Sequence, residues 1–204
     1  TTTLPPVSDS SWTTNGFTTV SGTTATLTTD GQKFGAGSLV NSRVVSPLGL
    51  HATFTAQIGG TGTTGGDGLT MALLDASTAT PTSLGGQGGG LGVAGLPATF
   101  VALETYPNAG VDTYNFAAVG TSTIGATGPT WLGSNTTIPP LRTGTHTVDV
   151  TVTAAGHLVV KIDGSQVLDV AAVLPSKVLV AFTAGVGGST DTHAVLNPTI
   201  TYAG

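Results

Sequence analysis

The sequence contains no cysteine, a single glutamate and few charged residues of either sign. A chain without cysteine forms no disulfide, binds no zinc through thiolates and has no thiol nucleophile. Its five basic residues are scattered, whereas nucleic-acid binding needs a basic patch that meets the phosphates. No apolar run approaches the roughly 18 residues that cross a bilayer. We therefore expect neither a nucleic-acid partner nor membrane insertion.

The chain is rich in threonine, glycine and small apolar residues. Its 31 glycines and 11 prolines interrupt the sequence at short intervals, and both residues disfavour helix interiors. Hydrophobic residues make up 39% of the chain, and many are β-branched residues that suit a half-buried sheet. No linker is long enough to divide the chain, so we predict an all-β protein with a single domain, residues 1–204.

Alternation of apolar and polar side chains marks the strands. In the segment "HTVDVTV" the valines point to one face and the polar residues to the other. Residues 157–170 predict a β-hairpin, because Asp163-Gly164 is a favoured two-residue turn. At least nine such short signals, separated by turns, indicate a two-sheet sandwich. The other clear strand predictions are 52–58, which alternates, and 68–74, 99–103 and 177–184, which are apolar on both faces.

The segment "LGGQGGGLGVAGLP", residues 84–97, is dominated by glycine. No lysine accompanies the glycines, as a phosphate loop requires, and Gly95 and Pro97 prevent the helix that follows a dinucleotide-binding turn. Leu91 and Val93 interrupt the low-complexity pattern. We interpret the segment as a shaped surface loop.

Residues 104–112, "ETYPNAGVD", concentrate oxygen-bearing side chains in a chain that is poor in charge. Glu104, Asn108 and Asp112 supply two carboxylates and a carboxamide around a turn at Pro107. Calcium takes roughly six to eight oxygen ligands, and the absence of imidazole and thiolate favours such a hard cation. A solvated polar loop explains the same residues equally well.

Five segments occur in an order and spacing that resemble an L-type (legume-type) lectin domain. They are "GGDGLTMALL", "LGGQGGGLGVAGL", "LETYPNAGVD", "GHLVVKIDGSQVL" and "KVLVAFTAGVGGSTDTHAVLNPTITY". "GSLVNSRVV" with "ATFTAQI" is similar to the early strands of that family. The form is closer to a bacterial, adhesin-like branch than to the plant members. The resemblance implies a concanavalin A-like jelly-roll sandwich of two antiparallel sheets, with a sugar site on loops beside bound calcium.

The resemblance also implies roles for individual residues in sugar binding. Asp67 would accept hydrogen bonds from sugar hydroxyls, and backbone amides at Gly89 or Gly90 would donate to the sugar. The loop 186–191 would form the rim that sets specificity. The expected carbohydrate-binding residues are Asp67, Gly89, Gly90, Tyr106, Asn108, Gly188 and Ser189.

The same resemblance implies a calcium site in the 104–112 segment. Asn108 would ligate calcium while its amide donates to the sugar. Tyr106 would offer its carbonyl to calcium and its ring as a stacking face. Glu104 and Asp112 would supply the carboxylates. In the family, calcium also helps to support a non-proline cis peptide before the aspartate that corresponds to Asp67.

This chain departs from the pattern of the plant members, which hold a transition metal beside calcium. Aligned through "TYPN", the first acid of that pattern becomes Ala102, and the histidine position falls near Phe116. We therefore expect a single Ca²⁺ and no transition metal. Glu104 stands where the family has aspartate, and a register in which that aspartate is deleted would leave calcium binding open.

Other chemistry-bearing residues receive weaker interpretations. Trp12 is expected to pack in the core, while Trp131 is left open between packing and a sugar platform. Asp191 is left unassigned, and the basic residues are interpreted as solubilising charges. His193 follows the rim loop and is the histidine with the best chance of touching ligand. The histidines interpreted as surface or strand-edge residues are His51, His146, His157 and His193.

An enzyme is not expected. Glycoside hydrolases with this sandwich present a Glu-x-Asp-x-Glu run that holds two carboxyl groups about 5–5.5 Å apart, and this chain has one glutamate and no such run. The sequence predicts a secreted or cell-surface bacterial lectin-like domain that binds a glycan or cell-surface polysaccharide. The alternatives are a structural or adhesion spacer with a degenerate sugar site and, behind it, a concanavalin-like hydrolase.

Overall fold

The computed structural model describes residues 1–108 and 110–204. Within these residues the regular structure comprises fifteen strands and one short 3-10 helix, Gly88–Gly90. The strands are β1 (Thr2–Thr3), β2 (Trp12–Gly16), β3 (Thr19–Ser21), β4 (Thr24–Thr28), β5 (Gly35–Asn41), β6 (His51–Gly59), β7 (Gly68–Asp75), β8 (Ala98–Glu104), β9 (Phe116–Ser122), β10 (Thr130–Asn135), β11 (Thr145–Val152), β12 (His157–Ile162), β13 (Ser165–Ala171), β14 (Val178–Val186) and β15 (Thr192–Tyr202).

The strands form two antiparallel sheets. One sheet has the order β13-β12-β11-β6-β15-β4-β3, and β1 pairs with β15. The other has the order β10-β9-β8-β7-β14-β5-β2. Neighbours such as β6 and β15 are far apart in sequence, so the chain crosses repeatedly between the sheets, as in a jelly roll. The predicted fold class, an all-β sandwich of two antiparallel sheets, is confirmed.

Side-chain alternation explains the sheet that contains β11. Along β11 the side chains alternate between exposed or half-buried and fully buried, as period-2 packing of one face requires. The hairpin of β12 and β13 turns at Asp163 and Gly164, which both have positive φ, 51° and 84°. These are the angles that a type I′ turn needs, and the predicted hairpin is confirmed.

The other sheet is buried on both faces at its centre. Every residue of β14 and of β8 is buried. Between the sheets, Phe182 stacks on Trp12 and meets Phe54 edge-on, with ring centroids 6.2 Å and 5.1 Å apart. On the outer face a second core forms around Phe100, and the glycine-rich loop 84–97 contributes to it. This outer cover explains why these strands read as continuous apolar runs.

Among the described residues, no helix is long and apolar enough to cross a membrane.

Candidate functional site

Three neighbouring strands bring their loops to the same end of the sandwich. Gly68, the first residue of β7, pairs with Glu104, the last residue of β8. Gly68 also pairs with Gly185 of β14 on its other side. Asp67, Thr105 and the loop after β14 therefore emerge side by side. Residues far apart in the sequence meet here because antiparallel register places strand starts beside strand ends.

Asp67 is held rigidly at the centre of this end. Its backbone N–H donates to the Gly185 carbonyl at 2.9 Å, and its own carbonyl accepts from Thr105 N–H at 2.8 Å. The Gly66–Asp67 peptide is cis. The residue is only 6% exposed. Burial raises the pKa of the Asp67 carboxyl and the Asp191 charge adds to this, while hydrogen bonds from Asn108 and Gly187 oppose it.

The glycine-rich loop lies over Asp67 and Asn108. Leu91 and Val93 anchor it, both fully buried, and the Thr183 hydroxyl on β14 donates to the Leu91 carbonyl at 2.7 Å. A side chain on Gly89 would place its Cβ 2.6 Å from Asn108 Oδ1. The expected shaped loop is thus confirmed, and a side chain at residue 89 would require the Asn108 carboxamide to move.

Asn108 lies at the point where the site oxygens converge. Its side-chain nitrogen lies within hydrogen-bond distance of Asp67 Oδ2 and the Tyr106 carbonyl, each at 3.4 Å, and of Glu104 Oε1, so its two hydrogens are shared among three acceptors. Three oxygens therefore surround one small volume. The oxygen and nitrogen of an amide side chain are assigned from its hydrogen-bond partners. Rotating the Asn108 carboxamide by half a turn would place its own oxygen beside the other three oxygens.

Glu104 is fully buried, and its Oε2 has no hydrogen-bond partner. Burial raises the pKa of this carboxyl to about 9, helped by the nearby charge of Asp67, while the hydrogen bond from Asn108 lowers it. A buried carboxylate normally has a counter-charge or several donors. The unpartnered oxygen and the convergence on Asn108 suit a hard divalent cation, which would coordinate such oxygens.

Asp112 lies directly after the turn that begins at Asn108. Its side chain is exposed, and it lines a shallow depression of about 270 Å³ with Pro107, Asn108, Gly110 and Val111. The Val111 N–H donates to the Asn108 carbonyl at 3.0 Å and closes the turn. The hydrogen bonds of Asn108 thus gather Glu104 and Tyr106, while Asp112 shares the lining of the depression with Asn108. In the part of the chain that is described, no three His, Cys, Asp or Glu side chains form a metal-binding group.

Tyr106 presents an exposed aromatic ring beside Asn108. The residue is 37% exposed, and its ring meets Tyr114 edge-on with centroids 5.6 Å apart. Its carbonyl faces the cluster while its ring faces solvent. This arrangement is compatible with both roles that the resemblance implies for it.

The loop after β14 is shorter than expected. The sequence predicts a rim loop at 186–191, but β14 continues through Val186. A Cβ on Gly187 would lie 3.6 Å from Asp67 Oδ1, and a Cβ on Gly66 would collide with the Ser189 carbonyl. The loop that contains Gly188 and Ser189 therefore packs directly against the Asp67 segment.

Asp191 connects three segments around the site through hydrogen bonds. It is fully buried, and its carboxylate accepts from Arg142 Nε at 2.9 Å, from the Thr105 hydroxyl at 2.7 Å and from Gly66 N–H at 3.2 Å. Sequence alone left Asp191 unassigned. The interpretation of Arg142 as a solubilising charge is wrong, because it pairs with this buried acid and also donates to the Gly62 carbonyl. No local signal announces a pairing across 49 residues.

His193 and the two tryptophans pack among buried side chains. His193 is fully buried, its Nδ1 lies 2.6 Å from the Thr28 hydroxyl, and burial lowers its pKa to about 3. The expectation that His193 has the best chance of touching ligand is therefore wrong, because no solvent reaches it. Trp12 packs in the core as predicted, and Trp131 lies edge-on to Phe100 and Phe116.

The other three histidines each contact an aspartate. The pairs are His51–Asp149 at 2.8 Å, His146–Asp163 at 2.7 Å and His157–Asp169 at 2.7 Å. The three aspartates are half-exposed, as predicted for solvent faces and turns. His146 is buried rather than at the surface. Its other ring nitrogen, Nε2, lies 3.0 Å from the Pro140 carbonyl oxygen.

No family model and no curated protein matches the sequence. Solved structures do match. The VIP36 exoplasmic/lumenal domain in a Ca²⁺/Man-bound form is 19% identical with a TM-score of 0.74, and the match covers 95% of this chain and 83% of that chain. Basic winged bean lectin with Tn-antigen is 17% identical with a TM-score of 0.72, covering 94% and 92%. Lectin I-B4 from Griffonia simplicifolia, in a metal-free form, is 18% identical with a TM-score of 0.73, covering 95% and 93%.

At these identities the likeness concerns the fold. The chain has the jelly-roll sandwich of the L-type, legume-type lectins, and these neighbours are carbohydrate-binding proteins.

Proposed function

We propose that this chain binds a glycan at the end of the sandwich where Asp67, Gly89, Asn108 and Gly187 meet. The observation that carries the proposal is the convergence of these four residues, which come from four separate loops. Asp67 and Asn108 are within hydrogen-bond distance, and Gly89 and Gly187 lie against them without side chains. Few polar groups placed together on rigid loops are what a small polar ligand requires.

Each of these groups has a role that suits sugar hydroxyls. The Asp67 carboxylate accepts hydrogen bonds, the Asn108 amide donates, and the backbone amides of Gly89 or Gly90 donate beside them. Tyr106 contributes an exposed ring for the apolar face of a sugar. Gly188 and Ser189 form the rim. A Cβ on Gly187 would lie 3.6 Å from Asp67 Oδ1, so its absence leaves that side of the carboxylate without a covering side chain.

We further propose that one Ca²⁺ supports the site. Glu104, the Tyr106 carbonyl, Asn108 and Asp112 would hold it. Its positive charge would offset the burial of Glu104 and keep the 104–112 segment ordered, so that the sugar does not bear that cost. No transition metal is proposed, because Ala102 and Phe116 stand where its further ligands would lie.

The proposal extends to the setting of the protein. A single lectin-like domain of residues 1–204, bacterial and adhesin-like, would meet glycans or cell-surface polysaccharides outside the cell. No catalytic role is assigned. Glu104 approaches Asp67 through Asn108, but its full burial keeps it from the glycosidic oxygen that an acid must protonate. Chromogenic glycosides that release product would overturn this assignment.

A glycan array tests the sugar site. The wild-type chain in millimolar Ca²⁺ is expected to bind a defined subset of glycans, and Asp67→Ala to abolish that binding. Asp169→Ala, which changes a half-exposed aspartate on β13, serves as the matched control and should bind normally. A blank array for the folded wild-type chain would instead favour a structural or adhesion spacer.

Calorimetry of metal-stripped protein tests the calcium site. Titration with CaCl₂ is expected to give one site per chain, and saturation should raise the unfolding temperature, since a ligand that binds only the folded state stabilises it. EDTA should reverse both effects and weaken glycan binding. If millimolar Ca²⁺ gives no heat of binding and no rise in unfolding temperature, the proposed calcium site is wrong. The glycan array tests the sugar site independently of that result.

A further inference from the structure

Phe34 is a large aromatic side chain that the fold leaves in solvent. It is 63% exposed, more than any other aromatic residue among those described. Isolated exposed apolar residues are common, so exposure alone assigns nothing to it. Two further observations concern where the ring lies and how its backbone is held.

Phe34 lies against the rim of the site. Its backbone N–H donates to the Gly187 carbonyl at 3.1 Å. Its ring lies beside Gly188, where an added Cβ would be 3.6 Å from Phe34 Cζ. Gly187 in turn borders Asp67, because a Cβ there would lie 3.6 Å from Asp67 Oδ1. The ring therefore borders Gly188, and the preceding residue, Gly187, borders Asp67. The Cα atoms of two consecutive residues are roughly 3.8 Å apart.

The backbone at Phe34 adopts a conformation that disfavours a bulky residue. Its φ is 51°, in the left-handed region where glycine or asparagine is usual. Strain of this kind persists where the surroundings impose it and concentrates at ligand sites. Phe34 combines this strain with a ring that buries little surface, so stability does not explain the choice of phenylalanine.

We infer that Phe34 forms an extended subsite of the proposed glycan site, where its ring stacks on the C–H face of a second sugar residue. This inference rests on the proposed function and adds the substrate class, an oligosaccharide rather than a monosaccharide. Gly187 borders Asp67 and Gly188 borders the ring, so a glycan that extends from Asp67 along this loop would reach Phe34 with its next sugar residue. Because both are glycines, no side chain blocks that path.

The experiment compares matched ligands on the full chain in millimolar Ca²⁺. An array of mannose, galactose and N-acetylgalactosamine, each as mono-, di- and trisaccharide, selects a series that binds. Isothermal titration with the monosaccharide and the trisaccharide of that series then gives two dissociation constants per variant. Phe34→Ala is expected to weaken the trisaccharide about tenfold and the monosaccharide less than twofold. Phe34→Tyr, which keeps an aromatic face, should restore trisaccharide binding.

Two controls separate a ligand contact from a structural effect. Ile124→Ala removes another exposed apolar side chain, 68% exposed, at the opposite end of the sheet and should change neither constant. Phe34→Gly relieves the positive φ, so its unfolding temperature should equal or exceed that of the wild type while trisaccharide binding falls. A ring that served only packing would make Phe34→Gly less stable.

The outcomes are distinguishable. Equal weakening of both ligands in Phe34→Ala, or no weakening of the trisaccharide, overturns the subsite while Asp67-dependent binding still stands. A wild-type chain that binds no member of the array overturns the proposed function and the subsite with it.

Discussion

Asp191 and Glu104 are both fully buried acids at the same end of the sandwich, but their surroundings differ. Asp191 accepts hydrogen bonds from Arg142, from Thr105 and from the backbone of Gly66. Glu104 meets one donor, Asn108, and one of its oxygens has no partner. The first arrangement is complete in itself. The second is incomplete in the protein alone, and this contrast separates a structural acid from a candidate ligand of a cation.

The largest expected effect comes from removing the complete acid. Asp191→Ala leaves Arg142 without its partner and leaves the Thr105 hydroxyl and Gly66 N–H without an acceptor. We expect a loss of about 3 kcal/mol in the free energy of unfolding, measured by urea denaturation. The control Asp149→Ala breaks a half-exposed pair with His51 and should cost less than about 1 kcal/mol. Similar losses in the two variants would contradict the structural role of Asp191.

The next effect is a pH dependence within the same buried region. The Thr28 hydroxyl contacts both the Asp191 carbonyl and His193 Nδ1. Burial lowers the pKa of His193 from 6.5 to about 3, so the unfolded chain binds a proton in this window that the folded chain does not. Stability conferred by neutral His193 is therefore full above pH 6.5 and falls as the pH drops toward 3, by about 1.4 kcal/mol per pH unit.

Denaturation is measured between pH 5 and 6.5. Glu104, whose pKa burial raises from 4.5 to about 9, contributes a slope of opposite sign there in every variant, so the contribution of His193 is the difference in slope between variants. Asparagine does not titrate in this range. In His193→Asn the slope of the free energy of unfolding against pH should therefore decrease by about 1.4 kcal/mol per pH unit. His157→Asn changes a half-exposed histidine and should keep it. A His193→Asn slope identical to that of the wild type would show that the buried imidazole does not govern the dependence.

A smaller effect on stability, but a large one on metal binding, is expected at the incomplete acid. Burial raises the pKa of Glu104 to about 9, so the metal-free protein holds this carboxyl neutral at pH 7. Glu104→Gln replaces it with a neutral amide of similar shape, so the metal-free variant should be about as stable as the wild type. Its Ca²⁺ affinity should fall at least about tenfold, because calcium prefers carboxylate oxygen. Calorimetry and urea denaturation measure the two quantities, with Asp169→Asn as the control. A destabilised Glu104→Gln with unchanged Ca²⁺ affinity would make Glu104 structural, like Asp191.

The smallest effect on stability is expected at Gly89. An alanine Cβ there would lie 2.6 Å from Asn108 Oδ1 and would push the carboxamide away from Asp67. Glycan binding should weaken severalfold, while unfolding changes by less than about 1 kcal/mol. Gly128→Ala, where the added Cβ meets nothing within 4 Å, should change neither. Unchanged binding in Gly89→Ala would place the ligand away from the glycine-rich loop.

Much of the fold could be predicted because its signals are local. The alternation along β11, the Asp163-Gly164 turn and the apolar runs of β7, β8 and β14 all depend on neighbours within a few residues. The candidate site was predictable in part, since Asp67, Gly89 and Asn108 carry recognisable residue types in a resembling order. Their convergence on one point is a structural finding, and their roles in binding remain predictions.

What sequence could not supply was the partner of each buried polar group. Nothing in the sequence around Asp191 or Arg142 indicates that the two residues pair. His193 resembles a rim residue because it directly follows the rim loop. Phe34 carries no motif at all. Its position beside Gly188 depends on β5 pairing with β14, a contact between distant segments.

The sequence by itself therefore determined the class of fold, the strand periodicity and the types of group available for a site, because each follows from short-range chemistry of the chain. Only the tertiary structure decided which acids are satisfied and which is not. The partners of Asp191 lie 49, 86 and 125 residues away in the sequence, so its hydrogen bonds form only once distant strands are paired. The difference between Asp191 and Glu104 therefore exists only in the folded chain.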